Sequence, residues 1–165
     1  MESWDLIIVG AGLAAGTYGA RSGLKTLVLE EKMVGGKTVD APLIENYPGL
    51  LSISGAELSQ KMVAQCRSAG VTIHEFEKVL SLDLKGEKKS VKTNKTAYEA
   101  GAVIIASGSR YREIGVAGEE EFRGRGVSYC GICDGPLFKG KRVLVVGGGN
   151  SAVMTALYLA ELASE

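Results

Sequence analysis

Two cysteines three positions apart, Cys130-Gly131-Ile132-Cys133, followed directly by Asp134, are the residues of this chain best suited to covalent chemistry. A C-x-x-C pair can close a small disulfide ring, and the motif lowers the pKa of one thiol so that a thiolate is available for exchange. Half a zinc site and a pair of inert thiols are the alternatives. Cys66 is the only other cysteine and His74 the only histidine, so zinc is short of ligands within the chain and no metal site is expected. Cys66 falls on an apolar helical face with Leu58 and Met62, and His74 on a predicted strand; both read as structural. Asp134 could protonate a leaving thiolate or simply cap a helix.

Glycine carries a second kind of chemistry. Gly10-Ala11-Gly12 follows the run Leu6-Ile7-Ile8-Val9 and precedes small residues up to Arg21, which is the order strand, glycine turn, helix. Such a turn lets backbone N–H groups and a helix N-terminus approach a pyrophosphate with no Cβ in the way. Thr26-Leu27-Val28-Leu29 reads as the next parallel strand. Glu30 at its end stands where a carboxylate accepts hydrogen bonds from ribose hydroxyls. The third glycine of a full fingerprint is replaced by Ala15, which is small enough for close helix–strand packing. A second copy is expected at Gly147-Gly148-Gly149-Asn150-Ser151-Ala152, after a strand at residues 142–146 and before a helix at 152–162. Its nucleotide contacts would be Gly147, Gly149, Asn150, Ser151 and Ala152.

These turns must be set by an α/β framework. Ser54-Gly55-Ala56-Glu57 has capping-box spacing, with Ser54 accepting from the third helical N–H and Glu57 reaching back; a helix then runs to about Ala69. Residues 71–100 read as one strand plus an antiparallel meander. Residues 102–106 read as a fully buried strand ending at Ser107-Gly108, and residues 115–126 as a crossing between domains. Trp4 reads as packing. The 165 residues are 45% hydrophobic, enough for one core and too few for two complete average domains. The 23 glycines are about twice the usual share of roughly 7%, while prolines number 3, which places the glycines in tight turns of a folded chain.

Lys plus Arg and Asp plus Glu are both 19, leaving no electrostatic footprint for nucleic acid or an acidic membrane surface. The uncharged stretch 143–160 approaches membrane-span length, but its glycine run breaks it into strand and helix. The N-terminus carries Glu2 and Asp5 where a signal peptide needs positive charge, so a cytoplasmic protein is expected.

Taken together, these residues resemble the low-molecular-weight thioredoxin reductases along essentially the whole chain. The blocks that carry the resemblance are the first glycine turn, Gly35-Gly36 with Thr38, Glu45-Asn46-Tyr47-Pro48-Gly49, Ala106-Ser107-Gly108, Gly118-Glu119, Cys130-x-x-Cys133-Asp134-Gly135 and Gly147-Gly148-Gly149-x-Ser151-Ala152, in the family's order. The resemblance implies a Rossmann-like FAD-binding domain with a β-meander over residues 1–114, interrupted at 115–165 by the start of a second Rossmann-like, NADPH-binding domain that carries the redox cysteines. It implies FAD contacts at Gly10, Ala11, Gly12, Glu30, Gly35, Gly36, Thr38, Asn46, Val79, Ala106, Ser107 and Gly108. It also implies that Cys133 faces the flavin, that Cys130 attacks the partner's disulfide, and that Asp134 supplies a proton. The acceptor would be thioredoxin or a thioredoxin-like protein, and the assembly a homodimer.

The chain departs from the family in three ways. Its first helix is three residues shorter, Lys37 stands where glutamine is common, and the C-terminal half is missing. That half carries the residues reading the NADPH 2'-phosphate, so NADPH and NADH are not told apart. Competing readings are a flavin- or nucleotide-binding fragment without turnover, and a related disulfide reductase using another reductant, such as a deazaflavin or ferredoxin, or another acceptor.

Overall fold

The N-terminal β-branched run becomes the centre of a six-stranded sheet in order β3-β2-β1-β6-β5-β4. In the computed structural model, which describes residues 1–165, these strands are β1 Glu2–Val9, β2 Thr26–Leu29, β3 Thr72–His74, β4 Val79–Asp83, β5 Lys89–Thr93 and β6 Ala97–Ile105. β1 pairs in parallel with β2 (Ile7 opposite Leu27) and with β6 (Ile7 opposite Val103), and β2 with β3. β4, β5 and β6 form the expected antiparallel meander. β1 begins four residues earlier than its apolar run because Glu2, Ser3 and Trp4 pair with Tyr98, Glu99 and Ala100.

Alternate residues of β1 feed two cores, as the two-residue strand period requires. Ile7 packs with Trp4, Leu27, Leu29, Val91 and Tyr98 on one face. Leu6 and Ile8 pack with Leu13, Val28, Cys66 and Val71 on the other, beneath helices α1 (Leu13–Arg21) and α2 (Gly55–Ser68). The short α1 lies close to the sheet through glycine: a Cβ on Gly19 would stand 2.7 Å from Leu6 Cδ2. Ser54 caps α2 by accepting the Glu57 N–H at 3.2 Å, whereas the Glu57 carboxylate turns to Lys61 one turn on instead of reaching back.

The end of β6 is not the fully buried strand expected. Ile104 and Ile105 are 40% and 59% exposed. β5 pairs with β6 only over Ala97–Ala100, so beyond Ala100 one edge of β6 has no neighbour to cover it.

The chain divides into two units, Met1–Ser109 and Arg110–Glu165. The second holds α3 (Gly131–Asp134), a 3-10 turn Gly135–Phe138 and α4 (Asn150–Leu159), which starts and stops earlier than the expected 152–162. Residues 142–146 do not form the expected strand. A parallel strand exists only by pairing. Here the available partners are the last residues, through Gly140 N–H to Leu162 O, Ser164 N–H to Lys141 O and Val143 N–H to Glu165 O, while Leu144 and Val146 remain exposed. The second glycine turn and the helix after it are therefore present without a strand before them. No helix of the chain is long and apolar enough to cross a membrane.

Candidate functional site

In the first unit Gly10, Ala11, Gly12, Glu30 and residues 106–108 follow the carboxyl ends of the parallel strands β1, β2 and β6, where open α/β sheets bind ligands. Gly10 N–H donates to Leu29 O at 2.8 Å and Ala106 N–H to Val9 O at 2.7 Å, which draws the ends of β1, β2 and β6 into one rim. Gly10 has φ +88°, and a Cβ there would stand 2.3 Å from Ala106 O; one on Gly12 would meet Ala106 Cβ at 2.8 Å. Gly10 is thus required first by the close approach of the 106–107 backbone, and Gly12 by the Ala106 and Ile8 side chains. No side chain caps the N-terminus of α1, where the Gly12 and Leu13 N–H groups turn back onto the Gly10 and Ala11 carbonyls at 2.8 and 2.9 Å.

Glu30 leaves β2 with Oε1 accepting from Lys32 N–H at 2.9 Å, and its other oxygen is available to a ribose hydroxyl. Gly35, Gly36 and Thr38 lie on the 3-10 segment Gly36–Asp40 and its lead-in, which rests on the start of α2. Gly55 makes that contact possible, because a Cβ there would be 1.6 Å from Thr38 O. Asn46 sits in an exposed loop pinned by reciprocal Ile44 and Ile53 backbone bonds. Lys37, the departure from glutamine, donates to Ser109 Oγ just past Ser107 and Gly108. Val79 opens β4 and pairs with Thr93 on β5.

His74 on β3 stands 3.2 Å from the Tyr98 hydroxyl and 3.3 Å from Glu77, so it is the half-exposed member of a polar cluster built on the buried Glu77. Glu77 is 3% exposed and accepts from Tyr98 and Thr93 hydroxyls at 2.8 Å. Burial pushes its carboxyl up, but those hydrogen bonds and the His74 and Lys95 charges outweigh it and hold the group below the usual carboxylate range. Burial and the Glu77 carboxylate raise the Tyr98 hydroxyl well above an ordinary tyrosine. Cys66 is fully buried in the core, and burial raises its thiol.

In the second unit Cys130 and Cys133 form a disulfide at the start of α3. Cys130 is the N-cap, and its Sγ accepts the Cys133 N–H at 3.3 Å; Cys133 is the more exposed of the two. α3 lies against α4 through Gly131 and Gly135, whose Cβ positions would meet Thr155 at 2.3 Å and Tyr158 at 2.7 Å. The Asp134 carboxylate accepts from Ser128 Oγ, and the same oxygen of Ser128 accepts the Cys130 N–H at 3.1 Å. Ser128 belongs to no motif of the sequence, and its one signal there is a hydroxyl two residues before the first cysteine. At the second glycine turn Gly147 has φ +130°, no side chain caps α4 at Gly149, and Asn150, Ser151 and Ala152 open the helix.

Glu119, quoted above only as part of a family block, is a buried carboxylate that receives Ile114 N–H (3.0 Å), Gly115 N–H (2.7 Å) and the Tyr129 hydroxyl (2.6 Å). Tyr129 in turn stacks on Tyr111, with ring centroids 5.0 Å apart.

A glycine turn on a parallel-sheet rim in one unit and a C-x-x-C disulfide in the other are the parts that a nucleotide-dependent disulfide oxidoreductase needs. Residues 4–165 match the family described as pyridine nucleotide-disulphide oxidoreductase, and the chain belongs to that family. It is 46% identical over 165 residues to a thioredoxin reductase of Bacillus subtilis (strain 168), covering 98% of this chain and 52% of the relative. A crystal structure of thioredoxin reductase from Streptococcus pyogenes MGAS5005 superposes with TM-score 0.89 at 43% identity, over 99% of this chain and 54% of that one. A ferredoxin-flavin thioredoxin reductase from Clostridium acetobutylicum matches at 40% identity and TM-score 0.62, over all of this chain and 58% of that one. The chain spans about half the length of the relatives it matches.

Proposed function

We propose that the protein is a thioredoxin-disulfide reductase in which this chain supplies the flavin-binding rim and the redox disulfide. The observation that carries the reading is the Cys130–Cys133 disulfide held at an exposed helix start, in a chain whose other unit presents Gly10, Gly12 and Glu30 on one sheet rim. The rim fits a dinucleotide: it has an uncapped helix start, glycines approached closely by backbone, and a carboxylate with an oxygen to spare. FAD, when bound, would supply two-electron transfer between a reduced nicotinamide nucleotide and the disulfide. Gly10, Ala11 and Gly12 would hold its pyrophosphate, Glu30 a ribose, and Gly35, Gly36, Thr38, Asn46, Val79 and 106–108 its remaining length. NADPH is the proposed donor, with Gly147, Gly149, Asn150, Ser151 and Ala152 as its phosphate contacts. A reducing compartment, the cytoplasm, suits a dithiol of this kind.

The chain's own chemistry starts from the reduced dithiol. Cys130 thiolate attacks one sulfur of the acceptor disulfide, forming a mixed disulfide and releasing an acceptor thiolate that takes a proton. Cys133 thiolate then attacks Cys130 Sγ, which re-forms the Cys130–Cys133 bond and releases the second acceptor thiol. Two electrons pass from dithiol to acceptor. Cys133 N–H at the helix start stabilises negative charge on Cys130 Sγ, and Asp134 beside the pair is the proposed proton donor.

Trapping tests this directly on the chain as it stands. Cys133→Ser should accumulate a mixed disulfide between Cys130 and oxidised thioredoxin, visible on a non-reducing gel, while Cys130→Ser should not. The opposite pattern reverses the assignment, and no adduct from either variant removes thioredoxin as acceptor.

A further inference from the structure

The segment that carries Gly35, Gly36 and Thr38 is anchored at both ends. At its far end the Gly55 N–H donates to Ala41 O at 2.9 Å, and the missing Gly55 Cβ leaves room for Thr38 O. At its near end Val34 sinks its side chain into the core and gives its part-buried backbone N–H to Glu75 Oε1 at 2.8 Å, across 41 residues of chain. Between the anchors Gly35 and Gly36 have φ +134° and +53°, and glycine fixes its own backbone least of all residues. A cavity of about 310 Å³ lies under this stretch, lined by Met33, Val34 and Val39 and by Ala56, Ser59 and Val63 of α2, with Glu75 also on its wall. The anchors therefore decide where the two glycines stand.

Glu75 joins three segments through one carboxylate. It follows β3, its Oε1 takes the Val34 N–H, and its Oε2 accepts from Arg67 Nη2 of α2 at 3.5 Å. Its neighbours do a separate task by backbone alone: Glu30 N–H donates to His74 O and Glu77 N–H to Glu30 O, both at 2.9 Å. The seat of Glu30 is thus independent of the Glu75 side chain. We propose that Glu75 is a positioning residue for FAD: by accepting the Val34 N–H it sets Gly35 and Gly36 where they meet the part of FAD that ADP lacks. This inference rests on the flavin reading of the first unit. A stretch set in advance loses little freedom on binding, whereas a freed one is competent for a fraction of the time and lowers affinity by that fraction.

The test uses the 165-residue chain with Glu75→Ala and Glu75→Gln, FAD affinity from flavin fluorescence, ADP affinity from titration calorimetry, and exchange of the Val34 amide followed by NMR. Glutamine keeps an oxygen that can accept the Val34 N–H, and alanine does not. Glu75→Ala should weaken FAD about tenfold, leave ADP within about twofold and speed Val34 exchange about tenfold, while Glu75→Gln should stay near the original in all three. Unchanged FAD affinity or unchanged Val34 exchange in Glu75→Ala overturns the proposal. Equal losses of ADP and FAD, or failure of Glu75→Ala to fold, overturn it too, because they mark a residue that serves the fold and not the flavin. Glu75→Gln losing as much as Glu75→Ala overturns the acceptor role. An unaltered chain with no measurable FAD binding removes the flavin reading itself and the role of Glu75 with it, a result read before any variant is made.

Discussion

The Tyr129 hydroxyl donates to the Glu119 carboxylate at 2.6 Å, and through that bond the residue next to Cys130 is tied to the backbone of Ile114 and Gly115. The segment that carries Ile114 and Gly115 is thereby held within the second unit, Arg110–Glu165. Arg123 tightens the arrangement, lying over the Tyr129 ring and pairing with Glu113 and Glu120.

This bond sets a pH dependence. The Tyr129 hydroxyl and the backbone donors hold the Glu119 carboxyl below its ordinary value. A depressed folded pKa contributes stability that is present above the unfolded value of about 4.3 and is lost as pH falls through the folded one. Glu119→Gln should therefore lower the melting temperature of the second unit by about 4 °C at pH 7, with the difference from the unaltered chain shrinking below about pH 4. A difference that stays constant from pH 7 to pH 3 would show that the charge plays no part.

The Glu77 cluster gives a second pH signature, in the first unit. Glu77 contributes stability above about pH 4.3 that fades in acid, while Tyr98, with its pKa raised, contributes stability below about pH 10 that fades in alkali. Tyr98→Phe should cost about 1–3 kcal/mol at neutral pH by leaving the buried carboxylate one donor short, and it should flatten the alkaline limb of the stability profile measured by urea titration.

Ser128 is expected to act through Asp134. Ser128→Ala should slow reduction of the Cys130–Cys133 disulfide by a small dithiol about 5- to 10-fold, and should have almost no effect in an Asp134→Asn background. Additive losses in the double variant would separate the two residues.

Glycine substitutions should sort by what a Cβ meets. Gly55→Ala drives a methyl into Thr38 O and should destabilise the first unit by about 2 kcal/mol or more, whereas Gly149 has ordinary φ and open space around it. Gly149→Ala should leave thermal melts unchanged to within about 1 °C and weaken nucleotide contact at the turn.

Residues 142–146 do not form a strand, and among them the Val143 N–H reaches the chain's last residue, so the turn that follows is not held by a sheet. The 165-residue chain should take up FAD partially and should not oxidise NADPH in the presence of thioredoxin, as followed by absorbance at the flavin and nicotinamide bands. Stoichiometric flavin with steady, thioredoxin-dependent NADPH oxidation would overturn this.

Local pattern determined much of the protein. The alternation of Leu6, Ile7 and Ile8 between two cores, the glycine turn at Gly10, the Ser54 cap, the meander and the C-x-x-C disulfide all follow from residue types at short spacing, because strand period, cap chemistry and turn φ are properties of a few consecutive residues. The tertiary structure decided what depends on distant neighbours. Residues 142–146 have strand composition yet do not form a strand, and Ile104 and Ile105 have core composition yet lie exposed, because strand pairing and burial need partners that no local pattern supplies. Glu119, Ser128 and Glu75 were silent for the same reason. A carboxylate becomes a clasp or an anchor, and a hydroxyl a bridge, only when folding brings them their donors.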